Sequence, residues 1–186
     1  MSKMERELVS SLKDHETAFL LATVKAIMKQ SLPPIEIGSV SLPETHEGDV
    51  IEIPRWIAEV MAQMGFAEIQ EESFDIELFK ALSRERIQAS SQISTLKSDF
   101  YHRMKRHTDL MKSLAERDES LRKDYEKFSA SAYDLIALRT SKLLYLVGSS
   151  PLSPDLEKKL TPEEKELFNS IRSIIENWKR TILEGE

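Results

Sequence analysis

From Leu114 to Val147, apolar residues recur at Leu114, Leu121, Tyr125, Phe128, Ala132, Leu135, Ile136, Leu143 and Val147, with Glu, Arg, Lys and Asp between them. Between Leu121 and Leu135 the steps are four, three, four and three, the a/d seam of an amphipathic helix. No proline or glycine lies between Gly65 and Gly148, so the spacing predicts one uninterrupted helix. At 1.5 Å per residue, about 33 residues would reach roughly 50 Å, longer than a typical globular helix. Such a ridge is too long to be covered by its own domain. We therefore expect Leu121, Tyr125, Phe128, Ala132, Leu135, Ile136 and Leu143 to be shared with neighbouring subunits.

The segments on either side divide into two types. Met1 to Asp14 is charged, with Leu8, Val9 and Leu12 on one side, and reads as a short helix or arm. Thr17 to Gln30 fits a buried helix or, at Phe19 to Val24, a strand. Pro33-Pro34 ends it, and Ile35, Ile37, Val40 and Leu42 alternate as a strand does. Pro43 to Gly48 is a turn and Asp49 to Ile53 a second short strand. Pro54 then opens a helix over Arg55–Met64, with Trp56, Ile57, Val60, Met61 and Met64 on its apolar face and Gly65 as its stop. Phe66 to Gln70 returns as a strand. Residues 1–72 are thus expected to form a small β-rich module with an N-terminal arm.

Residues 73–186 are expected to form a helical bundle, so the fold class is α+β. Asp75 caps a helix to about Ala89 with Ile76, Phe79, Leu82 and Ile87 inward. Ser90 to Ser94 is a break, and Asp99 to Leu114 a second helix with Phe100, Met104 and Met111 apolar. The long seam follows, then a loop over Gly148–Pro154. Thr161-Pro162-Glu163-Glu164 has the hydroxyl cap, first-position proline and third-position Glu of a helix start. The last helix runs to about Leu183, with Leu167, Phe168, Ile171, Ile174, Ile175 and Trp178 expected inward.

Composition narrows the chemistry. The 186 residues carry a net charge of -6, which argues against a surface that grips nucleic acid throughout. With no cysteine, thiolate metal sites, disulfides and thiol catalysis are excluded. The apolar run Ala18–Val24 is too short to span a bilayer, and the acidic and polar residues that precede it do not read as a secretory signal, so no membrane partner is expected.

In the order of these segments the chain resembles the GINS family of replication proteins. Glu47-Gly48-Asp49-Val50-Ile51-Glu52-Ile53-Pro54-Arg55-Trp56-Ile57-Ala58 is similar to that family's small module: a Gly-Asp turn, a strand, an Ile-Pro step and a helix opening on Trp. Leu82, Glu85, Arg86, Leu96 and Asp99-Phe100-Tyr101 resemble the start of its helical module. Leu138-Arg139, Lys142-Leu143 and Leu160-Thr161-Pro162-Glu163-Glu164-Lys165-Glu166-Leu167-Phe168 resemble its archaeal members. The small module coming first is similar to the second and third kinds of subunit. The resemblance implies a non-catalytic scaffold in a homo- or heterotetramer with other GINS subunits, joining the MCM helicase to a RecJ-like partner. DNA contact would be weak or indirect. It implies a cytoplasmic location at the archaeal nucleoid, or a nuclear one in a eukaryote. In the small module, Ile53, Pro54, Trp56 and Ile57 would form the core or a docking surface.

Other chemistry is sparse. His15, His46, His102 and His107 are the only histidines, and the last two sit roughly 140° apart on a helix. No HExxH, Gly-rich phosphate loop or Gly-x-Ser-x-Gly occurs, so neither a metal, a cofactor nor an enzymatic activity is expected. Lys97, Arg103, Lys105 and Arg106, with Phe100, Tyr101 and His102, form the one basic-aromatic cluster and the candidate DNA contact. Arg139 and Lys142 interrupt an apolar run. Either they are buried and paired, with Glu residues of the last helix or of another subunit, or they face water and cover apolar surface with their stems.

Overall fold

The computed structural model describes residues 3–38, 40–149 and 152–184. An N-terminal helix and two small antiparallel sheets precede a mainly helical region. The chain divides into two compact units. One spans 16–72; the other spans 73 onward together with the described residues as far as His15. The division near the N-terminus falls between His15 and Glu16.

The ambiguous N-terminal stretch resolves into both of its readings. Helix α1 runs Lys3–Leu21, and strand β1 runs Thr23–Met28. Strands β2 (Ile35–Ile37) and β3 (Val40–Leu42) form a hairpin, and β4 (Val50–Pro54) leads into helix α2 (Arg55–Gln63) and strand β5 (Ala67–Ile69). β1 is central, antiparallel to β4 with Val24 opposite Ile53, and antiparallel to β5 with Ala26 opposite Ile69. Ala26, Met28, Leu42, Ile53, Ile57, Ala58, Met61 and Ala67 form the small core, with Trp56 half-buried at its edge. The face of α2 differs from expectation: Ala58 is buried, whereas Val60 and Met64 are exposed. A small Ala side chain lets the helix lie close to the sheet, which turns the contact face by about one residue. Gly65 ends α2 as its position suggests. At φ +77° it adopts a conformation side chains resist, while its N–H reaches Ala62 O and that of Phe66 reaches Met61 O.

The helical unit contains α3 (Phe74–Ile87), α4 (Phe100–Arg117), a 3-10 turn (Glu119–Leu121), α5 (Arg122–Ser149), the short α6 (Pro154–Glu157) and α7 (Pro162–Glu184). α5 packs against α3, α4 and α7. One core gathers Phe74, Leu78, Ala81, Leu82, Leu96, Phe100, Met104, Phe128, Ala132 and Leu135. A second gathers Ile93, Leu143, Val147, Leu160 and Phe168.

Three expectations are overturned here. First, the central ridge is not one helix. Asp118 adopts extended backbone (φ -137°, ψ 106°), its Oδ1 accepts the Ser120 N–H at 2.9 Å, and the chain folds back so that α4 and α5 pack together. An Asp side chain that satisfies a free N–H can stop a helix without proline or glycine. Folding the ridge on itself also covers it. Phe128, Ala132, Leu135 and Leu143 are buried in their own chain, Leu121 and Tyr125 are half-buried, and Ile136 alone of the seven expected interface residues is exposed.

Second, α3 faces the other way. Ile76, Phe79 and Ile87 are exposed, and the buried set is Phe74, Glu77, Leu78, Ala81, Leu82 and Glu85. The two buried carboxylates disguise this face as polar. Third, α7 buries Phe168 and half-buries Leu167, Ile171 and Ile175, but Ile174 and Trp178 stand exposed.

Candidate functional site

Where the two helical cores meet, the family-like residues of three separate segments converge on one buried charge network. Arg139 of α5 is 1 % exposed. Its Nε and Nη2 donate to Oε1 and Oε2 of Glu164 on α7, at 2.6 and 2.5 Å. Its Nη1 donates to Glu85 Oε2 on α3 at 3.0 Å and to the Ser94 carbonyl at 2.6 Å. One turn along α5, Lys142 Nζ lies 2.8 Å from Glu85 Oε1 and donates to the carbonyls of Glu85 (2.7 Å) and Gln88 (3.3 Å). Those carbonyls belong to the last turn and the end of α3, where no intrahelical donor is available and a cation suits the dipole. Arg139 and Lys142 therefore take the buried, paired alternative, with Glu164 of the last helix as one partner.

The local sequence positions each anion. Thr161 caps α7: its Oγ1 accepts the Glu164 N–H at 3.3 Å, and Glu164 Oε2 accepts the Thr161 N–H at 3.1 Å. This capping box aims the Glu164 carboxylate at Arg139, and Tyr101 OH adds a bond to Glu164 Oε1 at 2.7 Å. Glu85 accepts from both the N–H and the hydroxyl of Ser94. Two cations face two carboxylates, so the network is balanced and multiply hydrogen-bonded, the condition under which buried ions are tolerated. Burial raises the affinity of Glu85 for a proton, but Lys142, Ser94 and Arg139 together outweigh it and hold its carboxyl below the ordinary range. Burial drives the Tyr101 phenol well above its ordinary value, and the Glu164 carboxylate adds to that shift. Burial also opposes the charge on Arg139, but the paired Glu164 raises its proton affinity overall. Glu85, Arg139, Lys142 and Glu164 are all buried, and their bonds fasten α3, α5 and α7.

The basic-aromatic cluster is dispersed. Arg103 is buried, donates to Glu77 Oε2 at 2.6 Å and lies 5.3 Å from the Phe74 ring centre, so it is withdrawn from any DNA. Lys97 shares the same Glu77 oxygen at 3.3 Å. Lys105 and Arg106 are exposed. Phe100 is core and Tyr101 is committed to Glu164, which leaves neither ring for base stacking. His102 and His107 pair separately, with Glu163 at 2.9 Å and Asp75 at 3.0 Å.

In the small unit, Ile53 and Ile57 are core and Pro54 and Trp56 half-buried. Sequence reasoning overlooked Arg55 between them. It is buried, ion-paired to Glu71, and stacked 4.3 Å from the Phe19 ring centre.

The surface of the helical unit carries an uncovered apolar ridge. On α7, Leu167, Phe168, Ile171, Ile174, Ile175, Trp178 and Ile182 fall within an arc of about 120°. Its first part, with Ile175, is at least half-covered, but Ile174 is exposed and beyond Ile175 the stripe is bare, with Trp178 61 % and Ile182 63 % exposed. On α5, Tyr133, Ile136 and Leu144 fall within roughly one 80° arc, and all are exposed. No helix among the described residues is long and apolar enough to cross a membrane. Compared with known proteins, the chain matches no protein-family model and no curated relative.

Proposed function

We propose that this chain is a non-catalytic structural subunit of a GINS-type replication complex. In that role it scaffolds the MCM helicase and a RecJ-like partner, in the cytoplasm of an archaeon at the nucleoid. The observation that carries the assembly part is the α7 stripe. A helix that packs Leu167, Phe168, Ile171 and Ile175 on its own core while Ile174, Trp178 and Ile182 stand exposed presents a contact surface of a kind that marks interaction sites. Further support comes from the residues behind the resemblance. Glu85, Arg139, Lys142, Thr161 and Glu164 act as one fastening, a reason for that motif order in a helical module.

In this reading the function is mechanical. The charge network fixes α3, α5 and α7 as a rigid block, and the bare part of α7 joins that block to other subunits of a tetramer. The small module supplies a second contact surface. No reacting group is required. The test is light scattering on the chain alone and mixed with a second subunit, followed by affinity capture from native extract. MCM and a RecJ-like protein are expected together, and Trp178→Asp is expected to release the partner subunit. Monomer in both samples, or capture of neither protein, would refute the proposal.

A further inference from the structure

A cleft of about 460 Å³ opens between α3, α4 and α5. Its floor is Leu78, Leu82 and Phe128, and its walls include Met111 and Phe79, the latter 70 % exposed. The rim carries Asp75, Asp124, Lys127 and Ser131. Asp75 accepts from Ser73 and pairs with His107, whereas the side-chain charges of Asp124 and Lys127 have no partner among the described residues. Of the residues that line the cleft, two carboxylates face one lysine. The floor offers no polar group to a small polar ligand, so its occupant must be apolar at the tip and cationic at the shoulder.

One element of this same molecule has that chemistry. Trp178 and Ile182 project bare from α7, and Lys179, beside this ridge on the helix surface, has no partner among the described residues. The nearby acid, Glu176, is already held by Arg172 at 2.7 Å. No residue of α7 lines the cleft, so the ridge does not fill it within one chain. On α5 the cleft residues also lie roughly opposite the exposed Tyr133, Ile136 and Leu144, so that side remains available for another contact.

We infer that the cleft of one copy receives the α7 ridge of a second copy, Trp178 packing against Phe79 while Lys179, at the edge of the ridge, approaches Asp75 and Asp124. This rests on the assembly reading above and adds where the ridge goes. Because ridge and cleft are different surfaces, the contact is head-to-tail; two copies close it by reciprocal exchange, and rings or chains follow if they do not.

The test exploits the absence of cysteine from the chain. Full-length Ser131→Cys and Thr181→Cys proteins are mixed and oxidised, one of them carrying a mass tag. The expected product is the 131–181 disulfide; symmetric 131–131 or 181–181 products alone would overturn the inference. In sedimentation, Phe79→Ser and Asp124→Lys are expected to weaken self-association at least tenfold with unchanged thermal unfolding, since both side chains are exposed. If Trp178→Asp disperses the assembly and the two cleft variants do not, assembly through α7 stands and the cleft is not its seat. A native chain that is monomeric alone but assembles with a second subunit would likewise overturn this inference and leave the scaffold reading intact.

Discussion

Arg139 and Glu164, 25 residues apart on α5 and α7, form a two-pronged ion pair in which the guanidinium is 1 % exposed. Glu164 is simultaneously the reciprocal half of the cap that starts its own helix. A single carboxylate thus sets where α7 begins and where it docks.

Removing one charge from this network should be far more damaging than its surface counterparts suggest. Glu85→Ala leaves Arg139 and Lys142 with an uncompensated charge, and an expected loss of about 3–5 kcal/mol follows. Urea unfolding followed by circular dichroism measures it. Exposed pairs such as Arg86–Asp134, at 2.8 Å, provide the comparison, with an expected effect of about 0–1 kcal/mol.

The cap can be separated from the ion pair. Thr161→Ala removes the hydroxyl acceptor but leaves the Glu164 carboxylate, so about 1 kcal/mol should be lost. Glu164→Gln keeps a capping side chain but removes the charge facing Arg139, and should cost several times more. Equal losses in the two variants would show that the ion pair adds little to the cap.

Acid should loosen the helical unit through Glu85. Its folded carboxyl titrates below the unfolded value of about 4.5, so its contribution is present above that value and lost as pH falls through the lower, folded one. Denaturant midpoints are expected to drop below about pH 4.5, and Glu85→Gln should flatten that part of the profile while lowering it at neutral pH.

Alkali should act through Tyr101. Its phenol stays protonated in the folded state well past 10, while the unfolded phenol ionises near 10. Above that pH the unfolded state binds fewer protons, so stability falls as pH rises. Tyrosinate absorbance should show one of the four tyrosines titrating only with unfolding, and Tyr101→Phe should remove that late step.

DNA binding, if measured, should be shallow in salt. With Arg103 buried against Glu77, at most Lys97, Lys105 and Arg106 of the basic-aromatic cluster reach phosphates, so the slope of log affinity against log salt for a single strand bound at that cluster should be no steeper than about -2. A markedly steeper slope would restore a nucleic-acid role to this chain.

What the sequence disclosed follows from how local each signal is. The Thr161–Glu164 cap, the Gly65 stop and the strand-to-helix step at Pro54 depend on neighbours within five residues, and all were legible. The face of α3 was not, because Glu77 and Glu85 occupy buried positions whose partners, Arg103 and Arg139, lie 26 and 54 residues away. A periodicity that scores carboxylates as solvent-facing assigns that helix to Ile76 and Phe79 instead. Asp118 was hidden for a different reason: aspartate is ordinary inside a helix, and only its bond to Ser120 reveals the break. The ridge that needs cover is consequently on α7, whereas the central seam is satisfied by the return of α5 along α4.

The meeting of Glu85, Arg139, Lys142 and Glu164 also has a kinetic side. Their charges are matched only after segments from residue 85 to residue 164 have all arrived. A half-assembled bundle holding α5 and α3 without α7 would strand a guanidinium in a drying interior, a state too unfavourable to accumulate. The helical unit should therefore refold in a single concerted step, paced by closure of its longest loop rather than by the speed of any one helix.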